Sequence, residues 1–192
     1  MHSDQDIKLV EEFYNNRSLQ PDPIQVKVEN NKLIVVCDKA IIHKDLQIPD
    51  VPVDEFTGHL VVEDNYIDNL APYNLPRIIG KTLTIRTQIM GSFKGGPEQV
   101  QSIYLTRNQK TSETHRGPVV AEYNYPKLNS LTGLPKVIQD ELLIQSSSTQ
   151  LFGIDTLYSI KCPNVNIRVP NLLNKLHEQE LQLFLKMTQH VE

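Results

Sequence analysis

One run of ten residues restricts the fold more than anything else in the chain. In Lys81–Met90, Leu83, Ile85 and Ile89 fall on one face, and Thr82, Thr84, Arg86 and Gln88 on the other. Side chains on an extended strand alternate between faces, so this run predicts a half-buried strand with one wet side. Gly91-Ser92-Phe93-Lys94-Gly95-Gly96-Pro97 ends it, because glycine admits positive φ and proline donates no ladder hydrogen bond. Val100–Thr106 reads as a second strand, Arg107–Gly117 as a polar turn and Pro118–Tyr123 as a third strand. Loops of these lengths predict an antiparallel meander.

The remaining segments add strands and two helical ends. Ser3 and Asp6 have capping-box spacing, and Ile7, Val10, Phe13 and Tyr14 follow at helical intervals, predicting a helix over 3–16. Ile24–Glu29 and Lys32–Cys37 flank Asn30-Asn31, a pair suited to a two-residue hairpin turn. His59–Glu63 is a short strand, and the apolar residues of the loop over 64–76 predict that it packs onto the domain or onto a partner. Leu134–Ile144 reads as a helix from Pro135 or, in its second half, a strand. Ser146–Thr149 reads as a flexible connector, with strands at Leu151–Lys161 and Val165–Val169 beyond it. A last helix over 171–189 carries an apolar stripe, with Leu181 and Leu185 on its other side. No internal repeat is visible. These elements predict one domain over 1–192 with a β core at 24–169. The fold class expected is α+β: a mainly antiparallel β sandwich or partly open barrel with N- and C-terminal helices.

Charge divides the chain unevenly. Lys and Arg less Asp and Glu gives −8 for residues 1–76, +5 for 77–116 and −1 for 117–192, which makes the chain's −4. Either the acidic front folds against the basic middle, or Arg86, Lys94, Arg107, Lys110 and Arg116 form an anion-binding surface. The net negative balance disfavours coating of nucleic acid by the whole protein.

No catalytic grouping emerges. The glycines and lysine of 91–97 lack the order of a phosphate-binding loop, and no Gly-x-Ser-x-Gly elbow is present. His59 with Glu63 or Asp64 is the nearest approach to a metal-ligating cluster, and the six histidines show no paired-ligand spacing. Cys37 and Cys162 make no disulfide framework. The N-terminal residues lack an apolar leader, so an intracellular place, cytoplasmic or nuclear, is expected. With no cofactor or metal implied, the leading expectation is a non-enzymatic structural or adaptor subunit, of viral type among others. It would associate with itself or a partner protein through Leu181 and Leu185. The alternatives are a nucleic-acid or other polyanion binder using the basic segment, and a hydrolase of unknown substrate.

Overall fold

The computed structural model describes residues 2–43, 48–107, 125–148 and 150–169. In chain order the elements are α1 (Asp4–Asn15), β1 (Gln25–Glu29), β2 (Lys32–Val36), β3 (Lys39–Ile42), β4 (Glu55–Phe56), β5 (His59–Glu63) and β6 (Tyr66–Ile67). They continue as β7 (Ile78–Arg86), β8 (Ile89–Met90), β9 (Gln99–Thr106), β10 (Lys127–Leu128), β11 (Val137–Gln145) and β12 (Asn164–Arg168). Short 3-10 turns occupy Ala71–Tyr73 and Ile154–Tyr158.

The chain winds as a β-solenoid of parallel strands, and this overturns the expected antiparallel sandwich or barrel. Apart from the β1–β2 hairpin, every pairing between these strands is parallel. Each turn supplies up to three stretches that stack on those of the next turn. A first column runs through β2, β4 and the opening residues of β7, β9 and β11. A second, longer column runs through β3, β5, the later parts of β7, β9 and β11, and finally β12. The third is short, made of β6, β8 and β10.

Alternation alone does not distinguish parallel from antiparallel pairing, since both place successive side chains on opposite faces. Connection length distinguishes them, and here the connections are not loops. The residues between β7 and β9 hold β8 and the fully buried Phe93, so the chain returns along the third column instead of reversing at once. The expected 64–76 loop behaves likewise, with Ile67, Leu70 and Tyr73 buried.

An internal repeat does exist. Glu55, Ile78, Gln99, Val137 and Lys161 are successive register partners in the first column, spaced 23, 21, 38 and 24 residues apart. The inward positions Phe56, Leu60, Val62, Ile67 and Leu70 recur 23 residues later as Ile79, Leu83, Ile85, Met90 and Phe93, and none of the ten is more than 1% exposed. Val100, Ile103, Leu105, Leu128 and Leu131 continue the pattern, followed by Ile138, Leu142 and Ile144, then Val165 and Ile167. The pattern hides in the sequence because one spacing is 38 residues and because the inward residues change identity at every turn.

Three further readings are corrected. Val137–Gln145 is wholly strand, because both its flanks are paired, to β9 and to β12. Of the expected connector Ser146–Thr149, Thr149 lies outside the described residues and the rest is not slack: Ser146 is fully buried, and its Oγ accepts from Leu128 N at 3.0 Å and donates to Pro126 O at 3.0 Å. The Leu151–Lys161 strand is replaced by the 3-10 turn at Ile154–Tyr158. The 118–123 strand and the 171–189 helix lie outside the described residues.

Close stacking of turns fixes one glycine. At Gly58 a Cβ would collide with the carbonyl oxygens of Cys37 and Asp38 in the preceding turn. At the N-terminal end, Asn30 and Asn31 take φ of 51° and 63°, the left-handed values that a tight hairpin requires. Ser3 Oγ accepts from Asp6 N while the Asp6 carboxylate accepts from Ser3 N, closing the capping box of α1. Val10, Phe13 and Tyr14 then cover the core, with Tyr14 against Phe56 at 5.4 Å between ring centroids.

Removing an inward side chain leaves a void between two turns that cannot collapse independently. Leu83→Ala is expected to lose about 2–5 kcal/mol in urea unfolding. Val28→Ala, on the exposed face of β1, is expected to stay within about 0.5 kcal/mol of the parent.

Candidate functional site

The outward residues of the second column form ordered rows. Ile41, Val61, Thr84, Tyr104, Leu143 and Asn166 are successive register partners, and the inward residues on either side of each point to the core. Neighbouring strands lie about 4.8 Å apart, so this row is about 24 Å long. Ile41, Tyr104 and Leu143 are partly exposed, and Val61 is buried among its neighbours. One flanking row holds Lys39, His59, Thr82, Ser102, Glu141 and Asn164. The other holds Glu63, Arg86, Thr106, Gln145 and Arg168. The result is a flat, half-apolar strip with a mixed polar border.

Three of the five expected anion-binding cations are described. Arg86 ends β7, in register with Thr106, so Arg107 follows at the same corner of the solenoid. Its Nη1 donates to Glu63 Oε2 at 3.2 Å, which offsets its charge. Lys94 stands exposed at a different corner, beyond the third column, where its carbonyl accepts from Leu70 N. The structure therefore brings Arg86 and Arg107 together and sets Lys94 apart. Lys110 and Arg116 lie outside the described residues, as do Leu181 and Leu185.

Elsewhere the basic middle is also matched from within. Arg77 donates to Glu98 at 3.1 Å and lies 3.7 Å from Asp54. Its hydrogen bond and its charge hold the Glu98 carboxyl below the ordinary carboxylate range. The pair is exposed, so it is screened and weak.

His59 and Glu63 do not converge. They sit at the two ends of β5, about 13 Å apart along an extended strand. Asp64 instead accepts from Tyr73 Oη at 2.6 Å, and the Glu63 carbonyl oxygen lies 2.7 Å from His43 Nδ1. Partial burial, with the nearby Lys81 and Lys39, pushes the His59 imidazole below its usual pKa. Among the described residues no group of three His, Cys, Asp or Glu side chains gathers to hold a metal. Burial raises the thiol pKa of both Cys37 and Cys162, which leaves each a poor nucleophile at neutral pH.

The outward rows were not legible in the sequence, because they depend on which turn stacks on which. The 23-residue offset between the two runs of inward positions is the signal that could have found them. No helix among the described residues is long and apolar enough to cross a membrane.

Two measurements check these assignments. In Arg77→Ala, the NMR titration midpoint of Glu98 is expected to rise toward that of a free glutamate; because pairing lowers its pKa, the pair's contribution is present at neutral pH and is lost as pH falls through the carboxyl range. With iodoacetamide at pH 8, Cys162 should react before Cys37, which is 2% exposed, and the urea-unfolded chain should react at both sites alike. Compared with known proteins, the chain matches no family model, no curated protein and no solved structure.

Proposed function

We propose that the chain is a non-enzymatic structural subunit that works by protein association, with the outer strip of the second column as its contact face and another copy of the chain as occupant. The observation that carries this reading is the half-apolar row Ile41–Val61–Thr84–Tyr104–Leu143–Asn166 between polar borders. Interface centres are apolar and aromatic, with polar rims.

Charge complementarity favours a second copy. When two strips meet face to face with their turns in opposite order, Lys39 meets Asn164, His59 meets Glu141 and Glu63 meets Gln145. Val61 then faces Leu143, and Thr84 faces Tyr104. No like charges oppose one another, which is the condition a two-fold interface must satisfy.

Size decides the strength. A strip about 24 Å by 16 Å buries roughly 400 Å² per copy, or about 800 Å² in all, below the roughly 1,200–2,000 Å² of stable complexes. Association through this face alone is therefore weak and concentration-dependent.

Arg86 and Arg107 at one corner, with Arg168 in the same outward row as Arg86, support polyanion binding as the second reading. Anisotropy with single-stranded RNA at falling salt separates the two, since phosphate contacts are strongly salt-dependent.

Sedimentation over a range from micromolar to millimolar protein should show a monomer–dimer equilibrium. Tyr104→Asp/Leu143→Asp should shift it to monomer while the circular dichroism spectrum is unchanged. A parent that stays monomeric throughout overturns the reading.

A further inference from the structure

The third column ends in a recess that the strip does not involve. Ile144 and Leu151, inward positions of one turn, are seven residues apart, where Val62 to Ile67 and Ile85 to Met90 are five apart. The longer path opens a concavity of about 220 Å³ lined by Lys127, Asn129, Ser147, Ser148, Gln150 and Phe152.

Its framework is fixed by backbone pairing. Phe152 N donates to Asn129 O at 2.8 Å, and Leu131 N to Phe152 O at 2.9 Å, joining the two sides. Below them Ser147 N donates to Pro126 O, Ser147 Oγ to Tyr125 O, and Ser148 N to Ser146 Oγ. Ser148 itself is 5% exposed, and its hydroxyl has no hydrogen-bond partner among the described residues. A buried hydroxyl left unpaired opposes folding, so one that lines a cavity marks a place where a ligand oxygen completes the pairing. Phe152 is 64% exposed, a large apolar ring held at the rim of the recess.

The lining chemistry narrows the ligand. Two primary amides, Asn129 and Gln150, each offer donors and an acceptor, the pattern that reads adjacent hydroxyls. The Phe152 ring suits the C–H face of a sugar ring. Lys127 brings one positive charge, and no carboxylate lines the recess among the described residues. The volume lies below the roughly 300–1,000 Å³ usual for drug-sized ligands and suits one six-membered ring. A nucleotide fits less well, because the backbone N–H groups of Ser147 and Ser148 that would hold a phosphate are already donated within the protein. We propose that this recess is a saccharide site that takes one uronic acid unit of an oligosaccharide, stacked on Phe152, with its carboxylate on Lys127 and a ring oxygen or hydroxyl on Ser148 Oγ.

Titration of the isotope-labelled full chain, followed by amide shifts, tests this with three probes: a galacturonic acid trisaccharide, maltotriose and AMP. The acidic trisaccharide should move the resonances of Lys127–Asn129 and Ser147–Phe152 at millimolar concentration, and maltotriose should bind several-fold more weakly. Phe152→Ala should weaken the acidic sugar about tenfold, as loss of a stacked ring does, and Lys127→Gln should bring it down to the level of maltotriose. Ser148→Ala separates ligand binding from folding, since it should raise the unfolding midpoint or leave it unchanged while weakening the sugar several-fold. No shifts from either saccharide at 20 mM (a concentration of roughly this order being ample for a specific single-ring site), or binding of AMP in their place, overturns the proposal.

Discussion

Everything in this molecule depends on inward side chains stacking on the equivalent side chains of the turns before and after. A turn of a solenoid encloses too little by itself to bury its apolar residues, so Leu83 is dry only because Leu60 lies on one side of it and Ile103 on the other. That dependence explains what varies and what does not. The number of residues between inward positions is constrained within each strand and free at the corners. The interval between Gln99 and Val137 is 38 residues, the longest of the four, yet Val100 and Ile138 still pair in register beside them.

A stack must also begin. At the N-terminal end a parallel column would expose its last edge and the apolar face beneath it. The chain resolves this with the antiparallel hairpin, whose β1 pairs the free flank of β2, and with α1, whose Val10, Phe13 and Tyr14 lie over the first turn. The bridge between Ser18 and Ala40 does the same for β3. Arg17 ties these parts together, with its guanidinium 4.0 Å from the centre of the Phe13 ring and Nη1 donating to Phe13 O. The edge strand β1 carries Lys27 and Glu29 facing solvent, the charged edge that discourages further pairing.

Local features were legible where local chemistry sets them: the Ser3–Asp6 cap, the Asn30-Asn31 turn and the inward placing of Leu83 and Ile85, whereas the run expected to continue to Met90 breaks after Arg86 and Ile89 is not the inward residue of β8. Topology was not. A strand reads the same in the sequence whether its neighbour runs with it or against it, and of the residues that settle the question Met90 reads as the end of the preceding strand and Phe93 as a loop residue among glycines. The surface was less legible still. Arg86 looked like a free cation until the register placed Glu63 of the preceding turn beside it. The strip residues Tyr104 and Leu143 are 39 positions apart in sequence and adjacent in space. The recess by Phe152 depends on two extra residues in one turn, a departure visible only once the regular spacing is known.

This architecture separates stability from recognition more cleanly than a fold with a closed core. Inward positions answer only to the turns on either side, so outward positions are free to carry other chemistry in rows about 4.8 Å apart. A row such as Ile41 to Asn166, in register from strand to strand, suits another extended surface. One concavity among the described residues lies where the repeat is broken. The longer spacing between Ile144 and Leu151 is such a break, and beside it the Ser146 hydroxyl receives Leu128 N and Ser148 N and donates to Pro126 O. The hydroxyl left over, on Ser148, lies where the chain departs most from its own pattern.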